Sequence, residues 1–207
     1  MTLEVRTFVG GPLETNAYLV VDTETKAALV IDAPYGVTEA VTAAATAAGQ
    51  RIERIVITHA HWDHITDAAA MREATGAPLA AHPLASERLA APDSALGDLP
   101  FTIPPVRPDQ FLEDGDEVAL GAHVFRVMHL PGHDPGHIAL FSEVDRLFFG
   151  GDVLFPGGHG RVDIPGADQL TMNRSLSRLV ELPGETVVYP GHGKPTRLAD
   201  ESWIMET

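Results

Sequence analysis

Four side chains able to ligate a metal fall within six residues in Thr58-His59-Ala60-His61-Trp62-Asp63-His64. The segment follows a short apolar run, Arg54–Thr58 (RIVIT), and leads into a helical pattern. At the end of an extended strand, positions i and i+2 point to the same side, so His59 and His61 can grip one ion together. The turn into the helix re-aims Asp63 and His64, and the four groups then face two nearby points in space. His64 falls at the start of a helix, where the macrodipole disfavours a proton on imidazole. Neutral imidazole is the form a metal needs. No structural requirement calls for four such polar groups at one strand end.

Three further positions extend the set. His133 in Leu130-Pro131-Gly132-His133, Asp152 in Gly150-Gly151-Asp152 and His192 in Tyr189-Pro190-Gly191-His192-Gly193 each follow a strand-like run. Gly and Pro around them let the backbone bend sharply. Strand ends of a rigid sheet converge, so residues far apart in sequence can share one site. Nitrogen and carboxylate ligands without sulfur suit Zn²⁺, Fe²⁺ or Mn²⁺. His137, in the same segment as His133, reads as support behind a ligand. Asp32, ending Ile31-Asp32-Ala33-Pro34, reads as an acceptor that orients a ligand histidine, with a simple turn residue as the alternative. His82 and His123 read as structural or exposed, and His129 is open between the two roles.

The elements that must carry these residues alternate along the chain. Leu3–Val9, Ala17–Asp22, Ala27–Asp32, Arg54–Thr58 and Leu79–His82 read as strands. So do Val118–Leu120, Val124–Leu130, Ile138–Phe141, Arg146–Phe149 and Thr186–Tyr189. Val37–Ala48 has an apolar stripe at Val37, Ala40, Val41, Ala44, Ala45 and Ala48, which predicts a helix closed by Gly49. Ile65–Thr75 predicts a second helix ended by Gly76. Leu170–Leu182 predicts a third, with Leu176, Leu179 and Val180 inside. Ala90–Pro108 is Pro-rich and reads as a loop. Strands followed by helices, twice over, predict an α/β protein with two packed sheets and helices outside, a four-layer αββα sandwich, in one domain over 1–207.

Composition narrows the function. The 207 residues carry 29 Asp+Glu against 14 Lys+Arg, a formal net charge of −15, and no cysteine. An acidic surface repels a phosphate backbone, so no nucleic-acid partner is expected. Without cysteine there is no disulfide, thiolate metal site or cysteine nucleophile. Met1–Gly10 lacks the pattern of a secretory signal and no run is long and apolar enough to span a membrane, so a cytoplasmic protein is expected. Oligomeric state is not legible.

Taken together these motifs resemble the metallo-β-lactamase-fold hydrolases, and within them the glyoxalase II-like group. The resemblance also runs through Gly10-Gly11-Pro12-Leu13-Glu14-Thr15-Asn16-Ala17-Tyr18-Leu19-Val20, Pro131–His137, Phe149–Phe155 and Gly160-Arg161-Val162-Asp163-Ile164-Pro165-Gly166. It implies two divalent metal ions, zinc first. His59, His61 and His133 would hold one and Asp63, His64 and His192 the other, with Asp152 bridging. Asp63 and Asp152 are then catalytic as well as ligating, and a hydroxide between the ions attacks a thioester or related acyl bond of a small molecule. Arg161 matches a pocket position that meets a substrate carboxylate, with a surface ion pair as its other reading. Trp62 and the loop over Leu96–Pro108 are candidate pocket lining, with plain packing as the other reading of Trp62, and His159 has no assigned role. Glyoxalase II proper resembles this chain plus a C-terminal helical module, for which Gly193–Thr207 is too short. The rival reading is a persulfide dioxygenase with one iron on His59, His133 and Asp152, and a lactonase is a further hydrolase reading. The bridging aspartate disfavours antibiotic hydrolysis.

Overall fold

The computed structural model describes residues 2–92 and 101–206. In order, the strands are β1 (Leu3–Gly10), β2 (Thr15–Asp22), β3 (Ala27–Ile31), β4 (Arg51–Val56), β5 (Leu79–Ala81) and β6 (Gln110–Phe111). They continue with β7 (Glu117–Leu120), β8 (His123–His129), β9 (Ile138–Ser142), β10 (Leu147–Gly151), β11 (Val187–Pro190) and β12 (Thr196–Arg197). The helices are α1 (Thr38–Ala47), α2 (Trp62–Ile65), α3 (Ala68–Thr75), α4 (Ser86–Ala90) and α5 (Gln169–Leu179). One sheet has the order β1-β2-β3-β4-β5-β6 and the other β12-β11-β10-β9-β8-β7. Strands β3 to β6 run parallel, as do β10 and β11, and the remaining pairings are antiparallel.

Why the inner strands read as unbroken apolar runs is plain from where alternate residues go. Along β2, Ala17, Leu19 and Val21 join one core, while Tyr18 and Val20 join another. Along β9, Ile138 and Leu140 face the core between the sheets, and Ala139 and Phe141 face α5. A strand covered on both faces has no polar side to show. Helices α1 and α3 cover the outer face of the first sheet through Val41, Ala45, Ala68 and Met71. Helix α5 covers the second through Met172, Leu176 and Leu179. The layers are helix, sheet, sheet, helix, as expected. Phe125, Phe148 and Phe149 are among the largest fully buried side chains, and burial of each stabilises the fold by roughly 1.5–3 kcal/mol.

Three details depart from the sequence reading. The helix expected over Ile65–Thr75 is two pieces, because the Asp67 amide donates to Ala33 O at 2.8 Å and its carboxylate accepts from Thr38 N and Oγ1 at the start of α1. Asp67 is recruited by a neighbouring element and the helix breaks there. Val180 is 43% exposed rather than inward, beyond the last turn of α5. The buried stripe of α1 narrows to Val41 and Ala45, with Val37 just ahead of it. In the long loop, Phe101 stacks on Tyr35 at 4.2 Å and Val106 is bonded to Leu89 O. Positions 96–100 of the candidate lining lie outside the described residues.

Gly132, just before His133, has φ +141, and a Cβ there would lie 2.4 Å from the Met172 Cα. The obstacle is backbone, so nothing flexible can move aside. Gly132→Ala is expected to destabilise the protein by more than about 2 kcal/mol, measured as a fall in the urea midpoint. An unchanged midpoint would show that α5 is not seated as described.

Candidate metal centre

All seven sequence-predicted ligands sit at strand exits on one edge of the molecule. Past β4 the chain runs extended to His61 (φ −71, ψ 144) and enters the four-residue α2 that carries Asp63 and His64. His133 follows β8, Asp152 follows β10 and His192 follows β11. Ligand atoms of His59, His61 and His133 lie within 4.8 Å of one another, as do those of Asp63, His64 and His192, and those of His59, His64 and Asp152. Asp152 stands between the first two groups. Its Oδ2 is 3.4 Å from His133 Nε2 and 3.5 Å from His192 Nε2, and its Oδ1 is 3.3 Å from His64 Nε2. Gly191 leaves the room for this, since a Cβ there would lie 2.1 Å from Asp152 Oδ1.

The fit to metal ions can be judged from what is left unpaired. Among the described residues, His59 Nε2, His64 Nε2 and Asp152 Oδ1 are buried without a hydrogen-bond partner. A buried polar atom left unpaired costs about 1–3 kcal/mol, and here three converge on the same space. Cations bound by these atoms would satisfy all of them. Meanwhile the opposite ring nitrogens are engaged. His64 Nδ1 donates to Asp32 Oδ2 at 2.8 Å, His133 Nδ1 to Arg161 O at 2.8 Å, and His192 Nδ1 to Leu13 O at 3.0 Å. His59 Nδ1 donates to Thr58 Oγ1 at 3.1 Å, which in turn donates to Asp32 Oδ2. Fixing the second nitrogen sets the tautomer that turns a lone pair inward.

Electrostatics splits the histidines into two kinds. Burial, with His64 nearby, pushes His59 well below its ordinary range. Burial and His133 bring His61 to about 4. At His64, burial opposes the proton, but Asp63, Asp152 and Asp32 outweigh it and raise the pKa well above 6.5. The expectation that the helix start keeps His64 neutral is therefore corrected: without ions, three carboxylates decide, and a four-residue helix has little macrodipole to oppose them. At His192 burial again opposes, and Asp152 and Asp63 raise the pKa to about 9. Burial works to raise Asp63, yet His64 and His192 hold it at about 2. Asp152 is likewise held well below 3.8 against its burial, mainly by His64.

Of the supporting residues, Asp32 accepts from His64 as just described, and His137 Nε2 accepts the Asp152 amide N–H at 3.0 Å. Burial brings His137 to about 3, the neutral form this bond needs. Each of the two substrate candidates takes the second of its two readings. The Arg161 guanidinium is paired with Asp163 on the surface, and it is the Arg161 carbonyl that reaches the site. Trp62 is 5% exposed and its ring faces Phe101 at 6.1 Å, so it packs rather than lines an open pocket. His159 meets Gly160 O and Gln169, His82 stacks on His129 at 4.0 Å, and His123 pairs with Asp145. Thr15, which donates to Asp63 Oδ2 at 2.8 Å, and Thr58 went unassigned in the sequence reading. Thr15 lies within a quoted motif, and Thr58 borders the histidine cluster, which is the only signal either gives.

The sequence model of the Metallo-beta-lactamase superfamily matches residues 10–192. Hydroxyacylglutathione hydrolase of Methylobacterium nodulans is 36% identical over 189 residues, which cover 91% of this chain and 66% of that protein. This chain thus spans just under two thirds of that relative's length. Hydroxyacylglutathione hydrolase GloC of Haemophilus influenzae is 31% identical over 91% of this chain and 90% of its own. Among solved structures, BLEG-1 B3 metallo-beta-lactamase superposes with a TM-score of 0.88 at 31% identity, covering 96% of each chain. TTHA1623 in a di-iron-bound form gives 0.84 at 38% identity, covering 96% of this chain and 97% of that one.

The two kinds of histidine give a pH signature. His61 and His137 have folded pKa values below 6.5, so the unfolded chain binds more protons there and stability falls as pH drops from 6.5 toward 4. His192 has its pKa raised, so its contribution, about 2–3 kcal/mol, is complete below 6.5 and lost as pH rises through 9. Chelator-treated protein should therefore be most stable near pH 6.5 in urea titrations. A stability that keeps rising from pH 6.5 to 9 would contradict the assignment.

Proposed function

Since the chain belongs to the Metallo-beta-lactamase superfamily, we propose that it is a metal-dependent hydrolase of small acyl thioesters of the hydroxyacylglutathione type. The observation that carries the reading is Asp152, set between two triads that each hold a buried nitrogen, His59 Nε2 or His64 Nε2, without a protein partner, as is its own Oδ1. The likeness to GloC over nearly the whole of both chains supports the substrate class. Zinc is the metal we assign, and the di-iron neighbour makes iron the alternative.

His59, His61 and His133 would hold one ion and Asp63, His64 and His192 the other, with Asp152 contributing to both. Ions at such a centre supply a water of lowered pKa and polarise an acyl carbonyl. The chain's own part is to keep the donors aimed. Asp32 holds His64 and, through Thr58, His59. Thr15 fixes the Asp63 carboxylate, and His137 fixes the Asp152 backbone. Asp63 and Asp152, ionised at neutral pH, stay available as anions. No side-chain nucleophile is required, in keeping with a chain that has no cysteine.

Protein purified without added metal should carry about two ions per chain by elemental analysis and cleave a hydroxyacylglutathione. His61→Ala and Asp152→Ala should lose metal and reduce cleavage together, by at least about 100-fold. Full activity after chelation would overturn the reading. So would cleavage of a β-lactam with the thioester untouched, or one iron per chain with oxygen uptake on glutathione persulfide.

A further inference from the structure

Four of the five histidines in the centre have their outward ring nitrogen hydrogen-bonded, to Asp32, Thr58, Arg161 O or Leu13 O. His61 is the exception. Its Nδ1 faces His133 Nε2 at 2.8 Å, on the side of the centre, and its Nε2 lies 3.7 Å from Asp134 Oδ2. The Asp134 side chain is 3% exposed. Its Oδ1 accepts from Gly136 N at 2.8 Å, and its Oδ2 accepts from Arg88 Nη1 on α4. A carboxylate has about four acceptor sites, so these two donors leave capacity for a third, and the donor next in reach is His61.

Burying a carboxylate is costly unless it is paired and hydrogen-bonded. A contact that merely tied α4 to the loop between β8 and β9 would gain nothing from lying behind a metal ligand. Resting on the metal-centre reading above, we propose that Asp134, anchored by Arg88, is the positioning residue of His61. It would accept a hydrogen bond from His61 Nε2–H while Nδ1 serves the ion that His59 and His133 would also hold. Arg88 thereby connects α4 to one of the two ions and not to the other, whose ligands Asp63, His64 and His192 have their own partners in Thr15, Asp32 and Leu13 O.

The test titrates Co²⁺ into chelator-treated wild type, Asp134→Asn, Arg88→Met and His61→Ala, following visible absorption and competition with a chelator. Wild type should bind two ions. Asp134→Asn should weaken one of them by about 10–100-fold, leaving the other within about twofold. Arg88→Met, which keeps the carboxylate and its bond to Gly136, should weaken the same ion by less, and it carries the test if Asp134→Asn does not fold. Combining Asp134→Asn with His61→Ala should add nothing to the loss caused by His61→Ala alone. Wild-type affinities in both variants, equal weakening of both ions, or additive losses would each overturn the positioning role. Failure of the wild type to bind Co²⁺ would overturn the metal centre itself, a distinct result.

Discussion

The Asp32 carboxylate accepts Thr58 N at 2.7 Å, Thr58 Oγ1 at 2.8 Å and His64 Nδ1 at 2.8 Å, all of them buried. Its own backbone is left-handed, with φ +61, and its amide donates to Val56 O across the parallel β3–β4 pair. Parallel neighbours bring their carboxyl ends side by side, so the residue closing β3 can reach the chain leaving β4. Through Thr58 it sets the His59 ring, and directly it sets His64. One carboxylate thus aims a ligand in each of the two triads. Loss of that acceptor would strand three buried donors, each at a cost of about 1–3 kcal/mol. This is why so small a group sets the precision of the whole centre.

Charge at the centre balances in a way that favours exchange of protons for ions. With no ion bound, Asp63 and Asp152 are anionic, and they hold protons on His64 and His192. His59, His61 and His137 are kept neutral, chiefly by burial. The protonated pair therefore occupies the place in the electrostatics that cations would take, and ion binding must release those protons. The chain's formal charge of −15 adds a field that attracts cations.

Much of this was legible in the sequence, for reasons that can be named. Runs such as Ala17–Val21 are apolar at every position because both faces are covered, and that marks inner strands without an alignment. His59, His61, Asp63 and His64 announce themselves by density alone. What stayed hidden depends on contacts between elements. Nothing local says that Asp67 will leave its own helix to cap α1, or that Val180 will fall past the last buried turn. Arg161 looks like a substrate group by residue type, yet its useful atom is the carbonyl, which any residue carries. Thr15, Thr58, Asp134 and Arg88 are single polar residues whose partners lie elsewhere in the chain, in each case more than 25 positions away.

The chain order of the ligands follows from how the two sheets are wired. Each sheet has parallel neighbours near its middle, β3 with β4 in one and β10 with β11 in the other. Their carboxyl ends deliver Asp32 and the histidine cluster from the first sheet, and Asp152 and His192 from the second. Hydrogen bonds tie the second pair together and then join the two sheets, the latter also through Ile138 N to Thr58 O at 2.8 Å. Gly191 N donates to Gly151 O at 2.7 Å, and Asn16 N of the first sheet donates to Gly191 O at 2.7 Å. Gly191 is thus bonded on both sides and also leaves the space that Asp152 fills. Residues 133 positions apart, His59 and His192, can face one centre because backbone bonds between the sheets, and not side chains alone, fix the distance between their supports.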